Sequence, residues 1–279
     1  PVGKTLLYVF MSLWALTTIY PFIWVILNSF KPRGLIRSDT FSLPIGDKFT
    51  LENYVTAFKR VDIGTAYVNS IVISGAVTVV VMVLAGLAAY AMVRYSFRLR
   101  GFLHSMIIAS MMFPVFSTII PVFRMESSWG IVNTGSIWLT RLSVVLPQIA
   151  GNLSFAIIVL MGFIRSLPVD LEEAAYLEGY NVYQIFFRII MPLAKPSFAT
   201  VGIFTFLWSY NDLFLQMFFL RSKKFFTITR LLNEISSQAG TNYGLMVAAV
   251  VMVVIPVLVV YIFLQNYIIK GMTAGAVKG

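Results

Sequence analysis

The sequence predicts an all-α membrane protein with six transmembrane helices. Hydrophobic residues make up 59% of its 279 residues and charged residues only 11%. That is far more apolar side chain than a water-soluble core of this size can hide. The apolar residues fall in charge-free runs of about 20 residues or more, which is the length that crosses the hydrocarbon of a bilayer. The period-two alternation of barrel strands is absent, so helices are the expected spans.

The first run is predicted to be a transmembrane helix and not a signal peptide, because it is long, contains YPFIW and lacks a small-residue cleavage pattern. Since the chain starts at Pro1 and not at methionine, we expect further cytoplasmic residues before it. Pro114 and Pro121 in the third run and Pro256 in the sixth predict kinks or breaks, because proline removes a backbone donor. The six predicted spans are Leu6–Phe30, Gly64–Val93, Phe102–Phe123, Leu142–Ile164, Ser197–Leu220 and Tyr243–Ile269.

Several kinds of chemistry are missing from the sequence. It has no cysteine and one histidine, His104, which argues against disulfides, thiolate metal sites and most histidine clusters. The only trace of a phosphate-binding loop is Gly3-Lys4-Thr5, without the first glycine or a preceding strand. No serine, histidine and acid set suggests hydrolysis. We therefore expect no metal, no cofactor and no enzymatic activity in this chain, and no nucleic-acid partner.

Four of the eleven acidic residues lie within nine positions, in the stretch DLEEAAYLEGY at 170–180. Pro168 and Asp170 favour a helix start. Glu172 and Glu173 suit its first turn, where free backbone amides carry partial positive charge. A helix this short is marginal by itself, so either neighbouring helices of this chain or a partner must hold it.

The residues that follow predict the rest of this segment. Ala174 and Ala175 favour helix and leave a shallow surface that another protein can approach. Gly179 is a natural helix stop, because glycine tolerates a left-handed backbone. Asn181 can cap a second helix, which Pro192 then ends or kinks. The sequence therefore predicts a short acidic helix, a turn and an apolar helix between two spans.

Polar residues within the predicted spans are candidates for a translocation path. Asp212 interrupts the fifth span, and an acid at membrane depth usually lines a cavity or finds a partner, although it can also snorkel from a helix end. Ser209, Tyr210 and Asn211 beside it add hydroxyl and amide groups, and Tyr210 offers a sugar both a ring face and a hydrogen bond. Asn152 in the fourth span is a further candidate, or it bonds to a neighbouring helix.

The acidic segment resembles a known motif. Glu173-Ala174-Ala175, three residues, Gly179, nine residues and Ile189-Ile190-Met191-Pro192 resemble the EAA loop of ABC-importer permeases, with Met191 at the usual leucine position. AAYAMVRYSFRLRG, FPVFSTIIPVF, WSYND and the terminal GMTAGAVKG are similar to the carbohydrate branch, the maltose-type permeases. WSYND departs by placing two residues between Trp208 and Asn211. The resemblance covers nearly the whole chain.

This resemblance implies a bacterial inner-membrane protein with cytoplasmic termini, consisting of one permease domain over residues 1–279. Its coupling loop, 166–195, would dock on a cytoplasmic ATPase, and its tail, 271–279, would reach between two ATPase subunits. The implied partners are a second permease, two ATP-binding cassette subunits that hold ATP and Mg, a solute-binding protein, and membrane lipid. The implied coupling residues are Asp170, Glu172, Glu173, Ala174, Ala175, Gly179, Ile189, Pro192 and Lys278.

The expected cargo is a sugar or oligosaccharide, but its charge is open. Basic residues predicted outside the membrane suit an acidic, uronic-acid oligosaccharide, or equally an acidic binding protein. Another small polar solute is a further alternative. A secondary transporter driven by an ion at Asp212 is a rival, although no inverted repeat is apparent. A membrane scaffold without a path is another. The outer basic cluster consists of Arg221, Lys223, Lys224 and Arg230.

Overall fold

The computed structural model describes residues 2–60, 62–239 and 242–276. Across these ranges the chain is helical and contains no strand, which confirms the predicted class. The α-helices in chain order are α1 (Val2–Ser29), α2 (Leu35–Ser38), α3 (Glu52–Arg60), α4 (Ile63–Arg94), α5 (Arg100–Met111), α6 (Val115–Ser128), α7 (Ile137–Ile164), α8 (Asp170–Leu177), α9 (Val182–Ile185), α10 (Met191–Leu193), α11 (Lys195–Asn211), α12 (Leu213–Phe219), α13 (Ile228–Ala239) and α14 (Tyr243–Ala276).

Within the described residues, four helices are each long and apolar enough to cross a membrane. They are α1, α4, α7 and α14, and they correspond to the first, second, fourth and sixth predicted spans. Two bent helix pairs bring the number to six if each pair counts as one span. The first pair is α5 with α6, and the second is the stretch Val182–Leu193 with α11. Residues Gly46–Lys48 and Lys223–Phe225 form 3-10 turns, and Phe186–Ile190 forms a π-helical turn.

The third predicted span is not one helix. It is divided into α5 and α6, whose axes differ by 103°. Pro114 stands at the start of α6 with extended backbone angles, φ −71° and ψ 112°. Proline disfavours helix in the residue before it, and α5 indeed ends at Met111, before Phe113. The predicted discontinuity at Pro114 is therefore confirmed. The other two prolines, Pro121 and Pro256, lie inside α6 and α14, which continue through them without a break.

The fifth predicted span is not a single helix either, so the prediction of one continuous helix over Ser197–Leu220 is wrong. It is divided at Asp212, where ψ is 81°, into α11 and α12. The Asp212 side chain accepts a hydrogen bond from the backbone N–H of Leu215 at 3.2 Å. An aspartate that caps a helix in this way competes with continuation of the preceding helix. The acid that interrupts the apolar run in the sequence therefore also interrupts the helix.

The chain divides into two compact units, and the first comprises Pro1–Gly64 and Arg230–Val259. Polar side chains fix the end of α1 in this unit. Asn53 Nδ2 donates to the carbonyls of Ser29 at 2.9 Å and Lys31 at 2.8 Å. The Lys31 ammonium in turn donates to the carbonyls of Asp39 and Thr40. Burial lowers the pKa of Lys31. These contacts satisfy carbonyls that a helix end leaves without intrahelical partners.

The second unit comprises Thr65–Thr229 and Val260–Gly279. Its core includes a stripe of α4 residues spaced four apart, each no more than 1% exposed. Residues four apart lie on one face of a helix, and the small members of the stripe allow close approach of neighbouring helices. The stripe consists of Ile73, Val77, Val81, Ala85 and Ala89.

We predict that Asn53→Leu destabilises the first unit, because the Ser29 and Lys31 carbonyls lose their donor while staying buried. Each unsatisfied group costs about 1–3 kcal/mol. The measurement is the midpoint of thermal unfolding of the detergent-solubilised protein. Glu52→Gln, an exposed change at the neighbouring position, is the matched control and should leave the midpoint unchanged. Equal midpoints for Asn53→Leu and wild type would show that the Asn53 contacts are dispensable.

Candidate functional site

The acidic segment folds as predicted from residue 170 onward: α8 begins at Asp170 and ends at Leu177. Its residues divide between two faces. Ala175 and Glu172 are buried, at about 4% exposure each. Asp170, Glu173 and Ala174 are exposed. One side of this short helix therefore packs on its own chain, and the other side is open to a partner.

Glu172 does not belong to the open side, although the resemblance implied that it is a coupling residue. Its Oε1 accepts from Arg94 Nε at 2.5 Å, and its Oε2 accepts from the Tyr90 hydroxyl at 2.7 Å. A buried carboxylate needs partners because desolvation penalises an unpaired charge. Arg94 and Tyr90 both belong to α4. A neighbouring helix of the same chain thus holds α8, which answers the question that the sequence left open.

The turn after α8 agrees with the sequence. Gly179 has φ +84°, a left-handed conformation that glycine adopts without strain. The Asn181 side chain accepts from the backbone N–H of Gln184 at 2.9 Å, and the Gln184 side chain accepts from the Asn181 N–H at 2.9 Å. This reciprocal capping starts α9. Helical structure then continues past the half-buried Ile189 and through Pro192 before bending by 82° into α11.

The open side of α8 combines acidic side chains with one highly exposed apolar side chain. Leu177 is 90% exposed and lies next to the exposed Glu178. Tyr176, half exposed, has its hydroxyl 2.9 Å from the Tyr95 hydroxyl. That hydrogen bond raises the pKa of Tyr176. We call the exposed residues Asp170, Glu173, Ala174, Leu177 and Glu178 the outer face of α8.

The second candidate site is a buried polar cluster at the break between α11 and α12. Gln148 of α7 is its centre: its Nε2 donates to Asp212 Oδ2 at 3.1 Å, and its Oε1 accepts from Ser209 Oγ at 2.6 Å. Ser209 Oγ also lies 3.2 Å from Ser74 Oγ of α4. Gln216 of α12 donates to the Ser209 carbonyl at 3.0 Å. These bonds satisfy polar groups that α11 leaves open where it ends.

The other predicted path residues take different positions. Asn152 lines a cavity, and its amide donates to the Gln148 carbonyl of its own helix at 2.7 Å. Asn211 is exposed and lines the same cavity. Tyr210 is 3% exposed, and its ring stacks on Phe206 at 5.9 Å. The expectation that Tyr210 offers a ring face to a sugar is therefore wrong for this conformation.

Two adjoining cavities of about 380 and 460 Å³ open beside the helix break. Trp208, 47% exposed, lines both of them. Its ring lies 4.8 Å from that of Phe155 in an edge-to-face arrangement. Asp212, Asn211 and Asn152 line the smaller cavity. An apolar pocket with a few convergent polar groups is typical of a small-molecule site, and here the aromatic surface comes from Trp208.

A third concave surface carries positive charge. Residues Asn133, Gly135, Arg221, Ser222, Lys224 and Phe225 line a cavity of about 410 Å³. Asn69 at the start of α4 donates to the carbonyls of Lys224 at 3.2 Å and Phe226 at 3.0 Å, which fixes the basic segment. The predicted neighbour Arg230 instead pairs with Glu234 at 3.1 Å within α13.

The predicted tail, 271–279, begins as helix, since α14 continues to Ala276. Lys278 lies outside the described residues. Among the residues that the structure describes, no group of three or more histidine, cysteine, aspartate or glutamate side chains is arranged to hold a metal ion.

Four functional candidates escaped prediction from the sequence. Gln148 and Arg94 are single polar residues in or at the end of apolar runs, and that position was their only signal. Leu177 has no signal, because apolar residues in short helices are usually buried. Trp208 belongs to WSYND, where the altered spacing between Trp208 and Asn211 left its role in doubt.

Known proteins resemble this chain along most of its length. The diacetylchitobiose uptake system permease protein of Streptomyces coelicolor is 34% identical over 96% of this chain and 87% of its own. The trehalose transport system permease protein of Mycobacterium tuberculosis is 32% identical over 93% of this chain and 92% of its own. The arabinooligosaccharides transport system permease protein of Halalkalibacterium halodurans is 30% identical over 100% and 98%.

The fold is also known. A chain in the crystal structure of a bacterial ABC transporter involved in the import of the acidic polysaccharide alginate superimposes with a TM-score of 0.81. It is 24% identical, and the match covers 95% of this chain and 96% of that one. Residues 81–274 match the family described as "Binding-protein-dependent transport system inner membrane component". The chain therefore belongs to the inner membrane components of binding-protein-dependent transport systems, the permease proteins of ABC importers.

Proposed function

We propose that this protein is the permease of an ATP-driven importer for sugars or oligosaccharides, and that it forms half of the translocation path. The observation that carries the proposal is the pair of cavities at the α11–α12 break. There the exposed ring of Trp208 lies beside the polar side chains of Asn211, Asp212 and Asn152. A sugar presents apolar ring faces and hydroxyl edges, and this combination matches both. Relatives named for chitobiose, trehalose and arabinooligosaccharide transport support the cargo class.

In this proposal the chain crosses the membrane six times: α5 with α6 forms the third span, and α11 with α12 forms the fifth. An even number of spans puts both termini on one side, which we assign to the cytoplasm. The basic stretch RYSFRLR at 94–100 follows the second span, and residues 166–195 follow the fourth, so both fall on that same side. Basic residues in a short loop favour the cytoplasmic assignment.

The outer face of α8 is then the docking surface for a separate ATPase subunit. Its charged members, Asp170, Glu173 and Glu178, would meet basic groups of the ATPase, and Leu177 would enter an apolar depression. ATP and Mg would bind to the two ATPase subunits, and this chain would hold neither. A second permease and a solute-binding protein complete the proposed complex. Closure of the ATPases would move the α8 helices together and convert the permease pair from inward-facing to outward-facing.

An acidic oligosaccharide is a second candidate cargo, and one observation favours it. Arg221 and Lys224 line an open cavity of about 410 Å³. Carboxylates are attracted to such a basic surface, and the attraction falls with ionic strength. The same surface would also suit an acidic solute-binding protein, so the cargo must be identified by transport.

The deciding experiment is uptake into proteoliposomes that contain this permease with its partner permease, ATPase and binding protein. Neutral oligosaccharides and uronic-acid oligosaccharides of equal length are compared, with and without ATP. ATP-dependent uptake of either class supports the importer, and the preferred class names the cargo. Uptake driven by an ion gradient without ATP would favour a secondary transporter. No uptake of any tested solute by the assembled complex would favour a scaffold.

We predict that Glu173→Lys weakens docking of the ATPase, because the charge reversal faces the partner without disturbing the buried side of α8. Loss of an interface anchor costs about 2 kcal/mol or more, equivalent to roughly thirtyfold weaker association. The measurement is the affinity of the purified ATPase for the permease pair in nanodiscs. Asp47→Lys, a charge reversal at an exposed acid outside this segment, is the control. Unaltered affinity for Glu173→Lys would remove α8 from the docking surface.

We predict that Asp212→Leu lowers uptake at least about tenfold, because it removes the acceptor of the hydrogen bonds from Gln148 and the Leu215 N–H, which order the cavity wall. A hydrogen bond to a charged group contributes about 1.5–3 kcal/mol. Asp212→Asn retains an acceptor for the Leu215 N–H and should keep more activity. Trp208→Ala should also lower uptake, by removing the aromatic surface, whereas Trp14→Ala in α1 is the matched control. Initial uptake rates are measured beside ATPase association, which should not change. Normal uptake by Asp212→Leu would leave Asp212 as a helix cap only.

A further inference from the structure

We infer that Tyr90 and Arg94 are positioning residues that join the coupling helix α8 rigidly to α4, so that α4 carries the movement of α8 toward the cavity at the α11–α12 break. This inference rests on the proposed function, because it specifies how docking of the ATPase reaches the path. The covalent connections of α8 run through residues 165–169 to α7 and through residues 178–194 to α11. The proposed connection is a third one, made by non-covalent contacts with α4.

The first observation is that one guanidinium binds two parts of the coupling segment. Arg94 Nε donates to the Glu172 carboxylate at 2.5 Å, and Arg94 Nη2 donates to the Leu167 carbonyl at 2.9 Å. The side chains of Arg94 and Glu172 are only 10% and 5% exposed. Tyr90 binds the second carboxylate oxygen of Glu172 at 2.7 Å. Both oxygens of Glu172 and the residues before α8 are thus tied to the last turns of α4.

The second observation is a stripe on α4 that contacts the whole segment. Gly86, Tyr90 and Arg94 are spaced four apart and lie on one face of the helix. The Tyr90 ring packs 5.6 Å from that of Phe186, in the π-helical turn. At Gly86 an added Cβ would come within 2.8 Å of Phe198 Cζ and 3.0 Å of Phe186 Cζ, so a larger residue would displace these rings. α4 therefore contacts α8, the π-helical turn and the start of α11.

The third observation is what the same helix contacts further toward its N-terminus. Ser74 of α4 lies 3.2 Å from Ser209, a member of the buried polar cluster at the helix break. Ser74 and Arg94 are twenty positions apart on one uninterrupted helix, a distance of about 30 Å at 1.5 Å per residue. α4 therefore contacts both candidate sites, with no proline and no break between them.

These contacts make α8 and α4 move as one body. A buried ion pair is strongly destabilised when one partner leaves, because the remaining charge stays in a poorly solvated site. If the ATPase displaces α8, then Arg94 must either follow Glu172 or leave it uncompensated. Following costs less, so the displacement passes to α4 and from there to the contact between Ser74 and Ser209. The outer face of α8 takes no part in these bonds and stays available for docking.

The test uses the assembled complex in proteoliposomes and two measurements. The first is the number of sugar molecules imported per ATP hydrolysed. Arg94→Ala should lower this ratio at least about tenfold, because the buried Glu172 loses its charge partner. Glu172→Gln keeps an oxygen acceptor for Arg94 and should retain more of the coupling than Glu172→Leu, which keeps no acceptor. Arg98→Ala removes an exposed arginine in the turn after α4 and is the matched control.

The second measurement is the distance between spin labels on the two elements, which is direct because the chain has no native cysteine. Cysteines replace the exposed residues Val169, before α8, and Leu84 of α4. In the wild-type background the distribution of this distance should be narrow, and its mean should be the same in the ATP-free and the ATP-bound complex. In Arg94→Ala the distance distribution should broaden. A distance that changes with ATP in the wild-type background, or a normal import ratio for Arg94→Ala, would overturn the inference.

The two proposals fail in different ways. If the wild-type complex shows no ATP-driven uptake of any solute, the proposed function is wrong. If wild-type uptake is ATP-driven but Arg94→Ala is coupled normally, the importer stands and the connection through α4 is wrong. If Arg94→Ala complexes do not assemble, the wild-type label distance and the comparison of Glu172→Gln with Glu172→Leu decide the question.

Discussion

A buried carboxylate must be paired, and the pairing of Glu172 determines how the coupling segment is built. Its two oxygens bind Arg94 and Tyr90 of α4, so this side of α8 faces the protein. The helix has only eight residues and would be marginal by itself. With Glu172 and Ala175 turned inward, the helical period places Asp170, Glu173, Ala174 and Leu177 outward. An internal contact thus sets the orientation of the surface that we propose for docking.

The same requirement explains the break between α11 and α12. A helix that ends in an apolar environment leaves carbonyl groups without partners, and each must be satisfied by protein. Gln148 and Gln216 both donate to the Ser209 carbonyl, and Gln148 also binds Asp212. The break is therefore stable, and it exposes Asn211 and Trp208 to a cavity. In both places polar pairing inside the protein leaves a different set of side chains available for function.

Much of the fold was predictable because apolar length and helix signals are local properties. Four of the six predicted spans are single helices, and α8, the left-handed Gly179 and the Asn181 cap agree with the sequence. The third span is divided at Pro114, where a kink or break was predicted, whereas the fifth was predicted as continuous and is divided at Asp212. Both residues stand out in the sequence, one as a proline and the other as an acid within an apolar run. Hydropathy averages over a window, so it cannot tell a polar or proline residue that a helix tolerates from one that ends it.

The sequence by itself determined the membrane class, the helical content, the acidic helix with its turn, and the resemblance to permeases. Each depends on composition, spacing or the conformational preference of a residue, and none needs a distant contact. Only the tertiary structure decided that Glu172 faces inward while Leu177 faces outward, that Tyr210 is buried, and that Gln148 joins α7 to the helix break. These outcomes depend on residues 60 to 80 positions apart, such as the pairs Arg94 with Glu172 and Gln148 with Ser209. Which side chains meet across such separations is decided by packing, and a single sequence does not display it.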